Sequence, residues 1–256
     1  MKQQVPLIVA NWKMNPSTQE DALALAVAVA KKQKQQKNAK VVLAVPFPYL
    51  TEIAKKITRS TVRLAAQNLS TEPLGAFTGE VSAAQLRNLG VEYVIIGHSE
   101  RRAMGETNEQ VQKKILMALK HSLTPIVCIG EKTRDEHGAF FGVVETQLRS
   151  IAGVLKAADI KKVVIAYEPI WALSTTKNGH VATPDDAKEM QLFIESVLTK
   201  LYDRKTARTV RVMYGGSVNA TNVTGFHHEG GMAGFLVGGA SLKAEEFNKI
   251  ISLVST

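Results

Sequence analysis

The chain has 256 residues, 45% of them apolar and 21% charged, and 32 Lys+Arg against 23 Asp+Glu leave a formal charge of +9. This balance excludes a disordered chain, which needs low hydrophobicity together with high charge, and the composition excludes a collagen-like or Pro/Gly-rich chain. The longest apolar run, Ala22 to Ala30, is far shorter than the about 20 residues a bilayer crossing needs, the start MKQQVPLIVANW carries no signal-peptide pattern, and the lone Cys128 permits neither an intramolecular disulfide nor a cysteine zinc site.

Taken in chain order, short β-branched apolar runs alternate with longer amphipathic stretches. The runs are Leu7–Ala10, Val41–Val45, Val62–Ala66, Tyr93–Ile96, Pro125–Ile129, Val163–Tyr167, Val210–Tyr214 and Gly234–Val237. They are apolar without strict alternation, as buried parallel strands are. Between them the sequence predicts helices over Asp21–Lys37, Pro48–Ile57, Glu109–Lys120, Val143–Ala158, Asp185–Leu201 and Glu245–Leu253. Thr183-Pro184-Asp185-Asp186 is a helix start, with a threonine cap, proline in the first position and acids in the first turn. No linker or low-complexity segment interrupts this rhythm. Eight such units fit one closed α/β (β/α)8 barrel, a single domain over residues 1–256, better than an open doubly wound sheet. In a barrel the chemistry belongs at the C-terminal ends of the strands.

The first run ends in Asn11-Trp12-Lys13, which places a cation at the barrel mouth or, equally, on a solvated surface. The fourth ends in Gly97-His98-Ser99-Glu100-Arg101-Arg102. Ser99 as helix cap would leave His98 at the positive end of that helix, a field that disfavours imidazolium; the alternative is a histidine that only caps the turn. The sixth ends in Tyr167-Glu168-Pro169-Ile170-Trp171, and a carboxylate there is costly to bury without a partner, so it reads as a functional base or a structural ion pair. Pro169 opens a long loop whose stiff start suits a hinged lid. The last two runs lead into Gly215-Gly216-Ser217 and Gly238-Gly239, turns that let backbone N–H groups approach an anion. A lysine, a neutral histidine, a desolvated glutamate and a phosphate cradle suit proton abstraction beside a carbonyl in a small phosphorylated substrate.

The segments NWKMN (residues 11–15), GAFTGE (75–80), IIGHSERR (95–102), CIGE (128–131), AYEPIWA (166–172), YGGSV (214–218) and LVGGASL (236–242) resemble the triosephosphate isomerases, in order and spacing from residue 5 to 253. The resemblance implies a homodimeric barrel that interconverts dihydroxyacetone phosphate and glyceraldehyde 3-phosphate without metal or cofactor; the signal-free start and lone cysteine predict a cytoplasmic protein, and no nucleic-acid or membrane partner is expected. It implies Glu168 as the base, His98 as the neutral electrophile, and Lys13 and Asn11 as supports of the developing oxyanion. Ser174, Ser217, Gly238 and Gly239 would hold the phosphate, with Leu236 as an apolar wall. Ser99, Glu100 and Cys128 would lie behind these groups. Phe77 and Thr78 would enter the partner subunit, and Pro169 to Lys177 would form the lid.

That lid departs from the family's A-I-G-T-G-K: it reads Ala172-Leu173-Ser174-Thr175-Thr176-Lys177, lengthened by Asn178-Gly179-His180. Ser and Thr resist the positive φ that glycine reaches, so closure should differ at the distal end. A Schiff-base aldolase would need a lysine on a strand, and the sixth run has none; a non-catalytic triose-phosphate-binding paralogue should have lost Lys13, His98 or Glu168. Lys31, Lys32, Lys34, Lys37 and Lys40 cluster at the end of the first helix and in the next loop, without aromatics for base stacking, and read as a solvated face.

Overall fold

A computed structural model describes residues 5–33, 38–135, 137–173 and 181–255. The strands are β1 (Leu7–Asn11), β2 (Lys40–Val45), β3 (Arg63–Ala66), β4 (Tyr93–Ile96), β5 (Thr124–Ile129), β6 (Val164–Tyr167), β7 (Arg211–Tyr214) and β8 (Gly234–Val237). They close in sequence order into a parallel barrel, with β1 paired to both β2 and β8. The helices are α1 (Gln19–Gln33), α2 (Leu50–Ile57), α3 (Ala83–Asn88), α4 (Ser99–Ala103), α5 (Asn108–Lys120), α6 (Ala139–Ala152), α7 (Ala157–Ile160), α8 (Pro184–Leu201), α9 (Arg204–Ala207), α10 (Val223–His228) and α11 (Ala244–Val254). This is the (β/α)8 barrel the alternation of runs predicts. No helix among the described residues is long and apolar enough to cross a membrane.

Two apolar cores explain the uninterrupted hydrophobicity of the strands. One face of each strand joins Ile8, Leu43, Ile96, Ile165 and Phe235 to the helix ring. The other fills the barrel with Leu7, Val9, Val42, Ala44, Ile95, Ile126, Val164 and Met213. Each buried branched side chain contributes about 1.5–3 kcal/mol.

Side chains alternate along a strand, so interior parity continues to both ends. Val9 carries it up to Asn11, Ala65 to Gln67, Ala166 to Glu168, and Leu236 to Gly238. These are the C-terminal mouth positions.

Helix ends differ from the sequence reading where side-chain caps decide. The predicted Val143–Ala158 helix is instead Ala139–Ala152 followed by the short α7. Asp135 Oδ1 accepts the N–H groups of His137 (2.9 Å) and Ala139 (3.1 Å), which starts the helix early. At its other end the buried Leu155 is held by Tyr202, whose hydroxyl donates to the Leu155 carbonyl (3.1 Å). Pro48–Ile57 divides into a 3-10 turn over Phe47–Tyr49 and α2. The first helix starts two positions early at Gln19 and is described to Gln33; the rest of the predicted span, with Lys34 and Lys37, lies outside the described residues. α3 went unread because six residues carry too little periodicity, although Ser82 and Gln85 form a full capping box around its start.

Candidate active site

Glu168 follows β6 directly and is 2% exposed. Its backbone N–H donates to the Ile129 carbonyl at 2.8 Å, continuing the ladder one residue past the strand. Its carboxylate is held by several donors: Oε2 accepts the Ser99 N–H at 3.0 Å, and Oε1 lies 3.1 Å from His98 Nε2. Cys128 is buried on β5 close enough to feel the Glu168 charge. Burial first, then the Glu168 charge, push the Cys128 thiol well above its usual value, so it stays protonated. A buried carboxylate with these donors has its desolvation offset without a cationic partner.

His98, 8% exposed, caps α4 itself: its Nδ1 accepts the Glu100 N–H at 3.2 Å. This corrects the assignment of Ser99 as the cap. The reason is position, since the helix begins at Ser99 and the residue before it holds the extended capping angles. An accepting Nδ1 carries no proton, so the proton of the neutral ring sits on Nε2, facing Glu168. Gly97, at φ +70°, makes the turn that delivers His98, and a Cβ there would also press on Arg102 and Val111 at 3.0 Å. Arg102 Nε donates to the Gly97 carbonyl at 2.8 Å and braces that turn.

Lys13 is held at φ +53°, a costly conformation for a residue with a Cβ. Three contacts over-determine it. Asn11 Oδ1 accepts the Lys13 N–H at 3.1 Å, Gln67 Nε2 donates to the Lys13 carbonyl at 2.9 Å, and Lys13 Nζ meets Glu100 Oε1 at 2.5 Å. Glu100 thus contacts Lys13 as expected, whereas Ser99 meets Glu168. The side chain of Lys13 rises beside Gly238, where a Cβ would meet Lys13 Cε at 3.5 Å.

Asn11 and Lys13 separate two cavities of the mouth. One, of about 240 Å³, is lined by Leu173, Ser217, Leu236, Gly238 and Gly239. The other, of about 220 Å³, is lined by Met14, Gln67, His98, Glu100 and Met104. Ser217, Leu236, Gly238 and Gly239 therefore stand together, as expected. The 3-10 turn Gly239–Leu242 opens on the first cavity, with its initial N–H groups free of helical partners. The first Gly-Gly turn differs in use, because the Gly215 N–H is already donated to the Tyr167 carbonyl at 2.8 Å.

The start of the predicted lid is described. Pro169 leads into a 3-10 turn over Ile170–Ala172, and the Ser217 hydroxyl donates to the Ala172 carbonyl at 3.0 Å. Ser174, Thr175, Thr176 and Lys177 lie outside the described residues.

The structure adds Gln67 and Glu131, to which the sequence reading assigned no role. Buried Glu131 Oε1 accepts from the Tyr167 hydroxyl (2.8 Å) and from Trp171 Nε1 (2.7 Å), and its carbonyl takes the Ile170 N–H (3.0 Å). Arg134 packs over the rings of Phe140 and Trp171 and pairs with Asp186 at 2.6 Å. Burial beside Glu131 pushes the Tyr167 phenol far up, which keeps it a donor. Both missed residues stand just past a strand end, so the rule that found Glu168 could have found them. Among the described residues no group of three or more His, Cys, Asp or Glu side chains is placed to hold a metal ion.

The comparisons agree with one another. The family model described as triosephosphate isomerase matches residues 6–254. A triosephosphate isomerase of Caldanaerobacter subterraneus subsp. tengcongensis is 47% identical over 249 residues, covering 96% of this chain and 98% of that protein. The triosephosphate isomerases of Thermoanaerobacter sp. (strain X514) and Endomicrobium trichonymphae are 45% and 43% identical, again over 96% of this chain and over 98% and 97% of theirs.

Proposed function

This chain belongs to the triosephosphate isomerase family, and from that premise we propose how its own residues interconvert dihydroxyacetone phosphate and glyceraldehyde 3-phosphate. The observation that carries the reading is the buried Glu168 carboxylate, 3.1 Å from the protonated nitrogen of a neutral His98. A carboxylate is a strong enough base only when water is excluded and the developing charge is met by fixed donors. Glu168 takes the proton from the carbon beside the carbonyl and returns it to the neighbouring carbon, while the hydroxyl proton passes from one substrate oxygen to the other by way of His98 Nε2. His98 Nε2–H, directed at Glu168 in the free protein, turns its hydrogen bond to the substrate oxygen, and Lys13 with Asn11 supports the enediolate charge. The contact with Glu100 holds the Lys13 ammonium beside both cavities of the mouth.

The phosphate belongs in the cavity of Ser217, Gly238 and Gly239, where backbone N–H groups and a hydroxyl converge beside the Lys13 charge. Leu236 and Leu173 line the same cavity and help keep water out. Ser174 and the rest of the lid, Thr175 to Lys177, would close over it, and the Ser217–Ala172 bond ties phosphate site to lid base. A coupled assay that oxidises or reduces one triose phosphate as it forms tests the assignment. Turnover of glyceraldehyde 3-phosphate into dihydroxyacetone phosphate is the expected result; a purified, folded protein without it overturns the reading.

Residues 1–256 form one catalytic domain in this reading, placed in the cytoplasm and acting without a cofactor. The domain works as a homodimer. Met14 is 92% exposed and Met104 73%, both beside the second mouth cavity, and Phe77, in the loop after β3, is 46% exposed. Large apolar side chains so exposed mark an interaction surface. Met14 and Met104 border the second mouth cavity, and the exposed loop with Phe77 and Thr78 from another copy is the matching occupant. The protein is expected to sediment at twice its 27.9 kDa chain mass. Thr78→Arg would bury an unpaired charge at that contact and shift the population to monomer, with activity falling in parallel. A wild-type monomer at micromolar concentration in analytical ultracentrifugation contradicts this.

A further inference from the structure

The strand parity that aims Glu168 into the mouth also decides what faces inward at the opposite end of the barrel. Val42 and Ala44 lie in the interior, so Lys40 points inward at the N-terminal end of β2; Met213 does the same for Arg211, and Ile95 for Tyr93. Lys161 and Lys162, on the turn before β6, close one side. These groups line a cavity of about 420 Å³, larger than either cavity of the mouth and within the range of ligand sites.

The cavity is cationic beyond its local pairing. Lys162 is paired with Asp159 at 3.0 Å, and neighbouring Arg63 with Glu92 at 3.2 Å. Among the described residues, Lys40, Lys161 and Arg211 have no carboxylate ion-pair partner. Arg211 is positioned by neutral groups only: its Nη1 donates to the carbonyls of Ala233 (2.6 Å) and Val5 (2.8 Å). Burial pulls the Arg211 guanidinium below its usual value. Burial and the nearby Glu92 push the Tyr93 phenol up, so it faces the cavity as a protonated donor. Thr124, opposite Tyr93 in the β4–β5 register, adds a hydroxyl to the lining.

We propose that this N-terminal cavity is a second anion site, separate from the substrate mouth, and that it takes a small polyphosphate of the pyrophosphate class. Three cations without a direct carboxylate partner among the described residues, with Asp203 the nearby acid that feels Lys161, surround a concave floor and match a compact multiply charged anion. A nucleic acid would require the charges strung out along a backbone and faces for its bases. The site also gives part of the +9 charge a location remote from catalysis.

The test is titration of inorganic pyrophosphate, in magnesium-free buffer, into isotope-labelled full-length protein followed by amide NMR. The expected result is saturable shifts at Lys40, Tyr93, Thr124, Val163 and Arg211. The double variant Lys40→Ser/Lys161→Ser is expected to bind about tenfold more weakly, having lost two charge-assisted contacts, with kcat and KM for the triose phosphates unchanged. Shifts confined to Gly216, Ser217 and Gly239 would show that the anion reads only the substrate cradle and would overturn the proposal. So would equal affinity in the double variant, or tighter lysine-dependent binding of a single-stranded oligonucleotide. The wild-type shift map locates the site without any variant, so a misfolded variant cannot obscure the outcome.

Discussion

Glu168→Gln is expected to lower kcat by about 10³-fold, within the 10²–10⁴ range a positioned general base supplies. The amide keeps the size of the carboxylate, and its oxygen can still accept the Ser99 N–H that holds Oε2 at 3.0 Å. What it cannot do is receive a proton from carbon. The effect therefore falls on kcat, with KM close to wild type, while the amide NH2 left facing His98 Nε2–H lowers stability by about 1–3 kcal/mol. The measurement is steady-state kinetics in both directions on protein shown by circular dichroism to be folded. A kcat within about tenfold of wild type would assign proton transfer to another group.

Gly130→Ala is expected to damage the same base from behind. Gly130 follows β5, and a Cβ built there would run into the backbone carbonyl oxygen of Glu168. Nothing can swing aside, since the obstacle is main chain, and Gly130 is itself tied on both sides. Its N–H donates to Gln147 Oε1 at 2.8 Å, and its carbonyl accepts from Gln147 Nε2 at 3.2 Å. The strand end must move, and Glu168 must move with it. Displacement by about 1 Å costs on the order of 10²-fold in rate, and the overpacking destabilises by about 1–3 kcal/mol. Gly142→Ala on α6 is the control. A Cβ there meets nothing within 4 Å, so the ordinary helix preference for alanine should leave stability equal or slightly raised. Kinetics and thermal melts of the two variants side by side check this; a Gly130→Ala protein with wild-type kcat would show that the β5–β6 contact does not set the base.

Much of this architecture is legible in the chain itself. Apolar runs such as Val164–Tyr167 announce buried strands because both of their faces are covered, one by the helix ring and one by the barrel interior. Counting them places Asn11, Lys13, His98, Glu168 and the two Gly-Gly turns at strand ends, where a parallel barrel exposes its loops. The ends of the helices were read less well. Their boundaries depend on side chains such as Asp135 and Tyr202 that act across turns or from another helix, and periodicity carries no record of such contacts.

By themselves, then, the residues determined the barrel, the order of its units and the identity of the groups at its mouth, because strand burial and the polarity of strand ends are properties of local sequence. Only the folded chain decided how those groups are held. His98 became its own helix cap with its proton on Nε2, Lys13 was locked in a left-handed turn by Gln67 from the end of β3, and Glu131 anchored the turn after β6 through Trp171. The same closure brought Lys40, Lys161 and Arg211 around one cavity. Each of these depends on which residues a closed, twisted sheet sets opposite one another, and that is a matter of register between strands far apart in the chain.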